Sequence, residues 1–187
     1  MRTMGVLLAA GAGSRFGGDV HKLEAVIDGM PVVARSCRAM CDAGLDEVLV
    51  VQGAVDLRLF LPEVSVLFNP EWETGQRSSL LAALAEARRR GVDAVVIGLA
   101  DQPFVPASAW RAVAECPSPI AVAVYAGRRG NPVRLAASTW DLLAGEDGPP
   151  DEGARSFIAH HPELVAEVAC EGNPADIDTP EDLGPWT

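Results

Sequence analysis

The stretch that most constrains this chain is Val6-Leu7-Leu8-Ala9-Ala10-Gly11-Ala12-Gly13-Ser14-Arg15-Phe16-Gly17-Gly18, with Lys22 just beyond it. Residues 4–9 form a short, nearly continuous apolar run ended by small residues and glycine. A run without polar alternation suits a strand covered on both faces, as in the centre of a parallel sheet. The glycines after it let backbone N–H groups converge on an anion, and Arg15 and Lys22 bring positive charge beside them. The pattern reads as a strand feeding a nucleoside triphosphate loop.

Two other glycine loops fit poorly. A dinucleotide fingerprint needs a third glycine where Phe16 stands. In a Walker loop the lysine follows glycine and precedes serine or threonine, whereas Lys22 lies between His21 and Leu23. Arg15 and Lys22 instead suit a triphosphate whose leaving pyrophosphate needs charge neutralisation.

The rest of the chain alternates strands and helices. Pro31 opens a helix with Val33, Cys37, Met40 and Cys41 on one face, and Gly44 closes it. Strands are expected at 47–52 and 64–68, with a short helix at 56–61 between them. Ser78 or Ser79 can cap a helix that carries Leu80, Leu81 and Leu84 and ends at Gly91. Arg88, Arg89 and Arg90 fall in its last turn, where cations complement the helix dipole, so they read as structural. Further strands are expected at 94–100, 120–125, 132–135 and 164–169, with helices near 106–115, 138–143 and 153–160. This order implies α/β architecture: a single three-layer α/β/α Rossmann-like domain over residues 1–187, with a mostly parallel sheet.

At 187 residues one domain with a sizeable core is the natural size. The net charge of −11 argues against a broad phosphate-backbone surface, so nucleic acid is not an expected partner. No apolar run is long enough to cross a bilayer and the apolar start lacks the design of a secretion signal, so the expected location is the cytoplasm, without membrane partners. Cys37, Cys41, Cys116 and Cys170 show no C-x-x-C spacing and read as small core thiols. His21 reads as a loop residue, and His160-His161 as a helix end.

Ligands on such sheets bind beyond the carboxyl ends of the strands. Asp101 stands at such an end, on the turn Asp101-Gln102-Pro103, and Asp178 lies in a second acidic turn, Asp176-Ile177-Asp178-Thr179-Pro180. A triphosphate site needs a divalent cation, and carboxylates are its usual anchors. Either aspartate has a structural alternative, capping its own turn or the short helix after it.

Several motifs in order resemble one family, the MobA-like nucleotidyltransferases, and within it the molybdopterin cytidylyltransferase type. They are the glycine loop with Lys22-Leu23, Asn69-Pro70-x-Trp72-x-x-Gly75-x-x-Ser78-Ser79-Leu80, Leu99-Ala100-Asp101-Gln102-Pro103, Gly127-x-x-Gly130-Asn131-Pro132-Val133, Asp151-Glu152-Gly153-Ala154-Arg155 and Asp176-Ile177-Asp178-Thr179-Pro180. The resemblance implies the nucleotide-diphospho-sugar transferase type of fold and transfer of CMP from CTP to the phosphate of molybdopterin, with release of pyrophosphate. It implies base contacts from the backbone of Leu8, Ala9, Ala10 and Gly11. Phosphate contacts would come from Gly13, Ser14, Arg15 and Lys22, and the base and ribose side would be lined by Asn69, Gly75, Ser78 and Ser79. Asp101 and Asp178 would bind Mg²⁺, making Arg15, Lys22 and Asp101 the catalytic set. Gly130, Asn131, Asp151 and Arg155 would face the acceptor, and a molybdenum enzyme would receive the product. Guanylyl relatives usually carry glycine where Ala10 stands, which tilts the base choice to cytosine. The alternatives are a guanylyl or sugar-phosphate transferase of the same fold, or a non-catalytic carrier of the molybdenum cofactor.

Overall fold

In the computed structural model, which describes residues 1–17 and 20–186, the opening apolar run becomes strand β1 (Thr3–Ala9), buried along its whole length. Gly18, the last glycine of the loop motif, lies outside the described residues. Alternate side chains of β1 enter different cores. Leu7 and Ala9 belong to one apolar cluster, and Met4, Val6 and Leu8 to another. A strand needing two apolar faces cannot show polar alternation, which is why its sequence reads as a continuous run.

After β1 the chain makes a small hairpin, β2 (Val26–Ile27) and β3 (Met30–Pro31), and then α1 (Val32–Cys41), β4 (Glu47–Gln52) and β5 (Ser65–Phe68). There follow α2 (Gln76–Arg90), β6 (Ala94–Leu99), α3 (Ala107–Glu115), β7 (Ile120–Tyr125) and β8 (Arg128–Ala136). The chain continues through α4 (Trp140–Gly145), α5 (Arg155–His160) and β9 (Val165–Ala169). Seven strands form one sheet in the order β5-β4-β1-β6-β8-β7-β9. β5, β4, β1 and β6 are mutually parallel; β8 runs antiparallel between β6 and β7, and β9 is parallel to β7. The mostly parallel sheet and its flanking helices agree with the expected architecture. α1 and α3 pack with the first apolar cluster; α2, α4 and α5 pack with the second. Gly5 and Gly98 allow close approach on the first face: a Cβ on Gly5 would lie 2.8 Å from Leu45, and one on Gly98 would lie 2.5 Å from the Trp110 ring.

The chain builds outward from β1 to β4 and β5, then returns to the other side of β1 as β6. The carboxyl ends of β1 and β6 therefore flank the topological switch point, where such sheets open a crevice.

Local details differ from the sequence expectations. β8 begins at Arg128 rather than Pro132, and the β2–β3 hairpin was not expected. Between β4 and β5 the only helical turn is a 3-10 turn at Arg58–Phe60. α2 starts at Gln76 with Gly75 as its N-cap, and neither Ser78 nor Ser79 caps it. The reason is long-range: the Arg77 N–H donates to the carbonyl of Pro150 at 2.8 Å, so a distant loop satisfies a donor that a side chain would otherwise cap. The three arginines at the end of α2 are structural, as expected. Arg89 and Arg90 pair with Glu86, Arg90 also with Glu47, and Arg88 with Asp141.

β8 also carries a buried guanidinium. Arg134 is 2% exposed, donates to the Ser118 carbonyl and the Met1 sulfur, and leaves Nε without a partner. Burial lowers its pKa. Among the described residues, no helix is long and apolar enough to cross a membrane.

Candidate active site

A cavity of about 500 Å³ opens at the switch point. The end of β1 and its loop supply Leu8, Ala9, Ala10, Gly11, Gly13, Ser14 and Arg15. Lys22 enters from the segment after the loop, Gly75 and Ser79 from the start of α2, Asp101 from the end of β6 and Asp178 from the C-terminal tail. Residues from five separate stretches meet there because parallel strands deliver all their carboxyl ends to one edge.

The charged groups form one network. Lys22 Nζ donates to Asp101 Oδ2 at 2.6 Å and to Asp178 Oδ1 at 2.9 Å, while Arg15 Nη1 stands 3.1 Å from Asp178 Oδ2. Burial alone would lower the pKa of Lys22, but the charges and hydrogen bonds of Asp101 and Asp178 outweigh it and raise it. Lys22 is thus the counter-ion of the two carboxylates. Asp176 lies close to the same pair. Burial pushes its carboxyl pKa up, and the negative charge of Asp101 adds to the rise.

The structural alternatives for the two aspartates do not apply. Thr179 heads the final 3-10 turn (Pro180–Trp186), and the N–H groups of Asp178 and Thr179 donate to Asp182 Oδ2 at 2.9 and 2.8 Å. Asp182 thus performs the reciprocal half of a capping box and leaves the Asp178 carboxylate facing Lys22 and Arg15. Asp101 caps nothing, and its Oδ1 is buried without a hydrogen-bond partner. An orphaned carboxylate oxygen is costly unless something electropositive takes it. With Asp178 it offers hard oxygen donors of the kind that could hold a divalent cation. Among the described residues no group of three or more His, Cys, Asp or Glu side chains is arranged as a metal site, so a cation here rests on this carboxylate pair.

Some expected residues take other places. Asn69 is 3% exposed and does not line the cavity. Its Nδ2 donates to Ser78 Oγ and Ser79 Oγ, both at 2.9 Å, and its Oδ1 accepts the Glu71 N–H at 3.0 Å. Asn69 and Ser78 therefore brace the start of α2 instead of reaching the cavity, and only Ser79 of this trio lines it. Asp151, expected on the acceptor side, also lines the first cavity, because its loop is drawn against Gly75. A Cβ on Gly75 would lie 2.5 Å from the Pro150 carbonyl oxygen.

A second cavity of about 240 Å³ adjoins the first and shares Leu8, Gln76 and Leu99 with it. It contains Gly130, Asn131 and Arg155, as expected, together with Arg129 and an apolar wall of Ile97, Val122, Val133 and Ile158. The Asn131 side chain is already engaged, donating to Gln102 Oε1 at 3.2 Å. Gln102 in turn donates to Asp176 Oδ1 at 2.7 Å and to the Pro174 carbonyl at 3.0 Å, tying the tail to the rim of the second cavity.

Trp72, named only as a motif residue with no role, and Glu73 and Gln76, not singled out, also line the first cavity. A tryptophan in a polar loop after Asn-Pro was the available signal. It folds over Gly53, where a Cβ would lie 2.5 Å from Trp72 Cβ. His21, read as a plain loop residue, bonds to the glycine loop: its Nε2 stands 3.0 Å from the Gly11 carbonyl.

Comparison with known proteins identifies the family and the fold. Residues 5–165 match the family model described as the MobA-like NTP transferase domain. Nicotine blue oxidoreductase from Paenarthrobacter nicotinovorans is 32% identical, over 96% of this chain and 93% of that protein. Molybdenum cofactor guanylyltransferase from Cereibacter sphaeroides is 29% identical, over 98% of this chain and 94% of that protein. The crystal structure of Rv0371c from Mycobacterium tuberculosis H37Rv superimposes with a TM-score of 0.84 at 26% identity, covering 98% of this chain and 96% of that one. The manganese complex of Rv0371c gives a TM-score of 0.81 at 24% identity, covering 100% and 98%. With the family model matching most of the chain and a relative 32% identical along nearly all of it, the protein belongs to the MobA-like NTP transferase family of nucleotidyltransferases.

Proposed function

We propose that residues 1–187 work as one Mg²⁺-dependent cytidylyltransferase in the cytoplasm. It transfers CMP from CTP to the phosphate of a molybdopterin-type acceptor, releases pyrophosphate, and yields a product taken up by a molybdenum enzyme. The observation that carries the reading is the network of Arg15, Lys22, Asp101 and Asp178 at the switch point, with Asp101 Oδ1 left unpaired. The name of the Cereibacter relative, a molybdenum cofactor guanylyltransferase, supports the molybdenum-cofactor acceptor, and the manganese complex of Rv0371c supports a divalent cation. Ala10 favours CTP through the family resemblance.

In this reading the triphosphate lies along the first cavity, its phosphates against Gly13, Ser14, Arg15 and Lys22 and its base against Leu8, Ala9, Ala10, Gly11 and Trp72. Mg²⁺ held by Asp101 and Asp178 would supply charge neutralisation at the phosphates. Lys22, released from the carboxylates, would turn its ammonium to the leaving pyrophosphate. Arg155 and Arg129 would hold the acceptor in the second cavity, Arg155 in a bidentate contact. An acceptor phosphate oxygen forms the new bond to the α-phosphorus, the bond to the pyrophosphate oxygen breaks, and pyrophosphate leaves with the electron pair. The attacking oxygen is already anionic, so positioning and charge do the catalysis and no general base is needed.

The test is a pyrophosphate-release screen crossing CTP and GTP with molybdopterin and sugar-phosphate acceptors, read together with product mass. CTP with molybdopterin is expected to turn over, and Asp101→Ala to abolish release. Turnover with GTP alone would transfer the reading to a guanylyltransferase, and no release with any pair would favour a cofactor carrier.

A further inference from the structure

His21 does not line either cavity near it, yet it touches both parts of the triphosphate loop. Its Nδ1 accepts the Leu23 N–H at 3.2 Å, which assigns the ring proton to Nε2, and Nε2 then donates to the Gly11 carbonyl at 3.0 Å. On the same side of the ring lies Gly13, where a Cβ would stand 2.9 Å from Nε2. The His21 carbonyl accepts the N–H groups of Glu24 and Ala25 at 2.9 and 3.2 Å, so the backbone that carries the ring is itself closed into a turn.

The glycine loop and Lys22 reach the cavity from opposite ends of one excursion of the chain, and the imidazole is the strut between them. We infer that His21 is a positioning residue that sets the register of Lys22 against the glycine loop, with its neutral Nε2–H tautomer as the working form. A ring protonated on both nitrogens would have no acceptor for the Leu23 N–H. The inference rests on the proposed triphosphate role of the loop, but the strut itself is a property of the nucleotide-free protein.

Glutamine places an amide N–H where His21 has Nε2, whereas asparagine places an acceptor where it has Nδ1. The two replacements therefore separate the bond to Gly11 from the local bond to Leu23. Affinity for CTP and for GTP, each with Mg²⁺, is measured on the full chain for wild type, His21→Ala, His21→Gln and His21→Asn. Loss of the strut is expected to weaken binding about three- to tenfold in His21→Ala, the scale of one net hydrogen bond. His21→Gln should recover most of the loss and His21→Asn should not. Unchanged affinity in His21→Ala, or recovery by asparagine and not by glutamine, overturns the inference. Ring ¹⁵N shifts of the nucleotide-free protein give a second reading: the Nε2–H tautomer is expected, and the Nδ1–H tautomer overturns the strut even if His21→Ala fails to fold. A wild-type protein that binds neither nucleotide would refute the proposed function, and the ring tautomer would still decide the strut.

Discussion

Replacing Lys22 with methionine keeps most of the side-chain length and removes the ammonium that stands 2.6 Å from Asp101 Oδ2 and 2.9 Å from Asp178 Oδ1. A divalent cation bound through Asp101 Oδ2 and Asp178 Oδ1 would have to displace that ammonium. The three side chains are 12%, 20% and 28% exposed, so solvent screens the contacts only in part. A hydrogen bond to a charged partner contributes about 1.5–3 kcal/mol net. Lifting one such competing contact corresponds to roughly ten- to a hundredfold in an equilibrium constant. Lys22→Met is therefore expected to bind Mn²⁺ about ten- to a hundredfold more tightly than wild type in the absence of nucleotide, measured by electron paramagnetic resonance of free Mn²⁺. The same variant should lose pyrophosphate release, because no ammonium remains for the leaving group. Mn²⁺ affinity equal to or weaker than wild type would refute the view that Lys22 occupies the cation's place between the carboxylates.

Two further outcomes follow from other parts of the fold. His161 hydrogen-bonds Glu146 through Nε2 and stands 3.3 Å from Glu163 Oε1 through Nδ1, and the bond to Glu146 raises its pKa above 6.5. A raised folded-state pKa makes the contact fully stabilising below 6.5 and loses it as pH rises through the folded value. The gap in thermal midpoint between wild type and His161→Gln should thus be largest below pH 6.5 and shrink as pH rises above it, and a gap that widens with pH would contradict this. On β8, Arg134 is buried with Nε unpartnered and no carboxylate bonded to it. Arg134→Met should leave the fold intact and raise its unfolding free energy in urea by about 1 kcal/mol, as when buried charge is replaced by an apolar side chain of similar volume. A loss of more than about 1 kcal/mol would show instead that the bond to the Ser118 carbonyl outweighs the desolvation of the guanidinium.

Much of the site was legible because its signals are local. Glycines after an apolar strand, one basic residue among them and another just beyond, and an aspartate at the end of a second apolar strand are all features of neighbouring residues, and Gly11, Gly13, Arg15, Lys22 and Asp101 all line one cavity. The residues that moved are those whose partners are remote in sequence. Asn69 carries the polarity of a ligand contact, but it is used up by Ser78 and Ser79 once the chain folds back into α2. Asp151 sits in a motif expected on the acceptor side, but the bond from the Arg77 N–H to the Pro150 carbonyl carries its loop over to the first cavity. Gln102 looks like part of a stiff turn, and only the return of the tail gives it Asp176 and the pairing of β8 beside β6 gives it Asn131 as a partner.

The sequence by itself determined the strand and helix alternation, the anion-binding character of the first loop and the two acidic turns, because periodicity, glycine placement and strand-end carboxylates act over a few residues. Tertiary structure alone decided what those charges do to one another. Asp101 and Asp178 are 77 positions apart, and they meet on Lys22 only because Asp182 takes over the capping of the last turn and parallel strand ends converge on one edge. The same convergence turned His21 from a loop residue into a strut, since its carbonyl partner on Gly11 is ten positions away and approaches only when the loop closes.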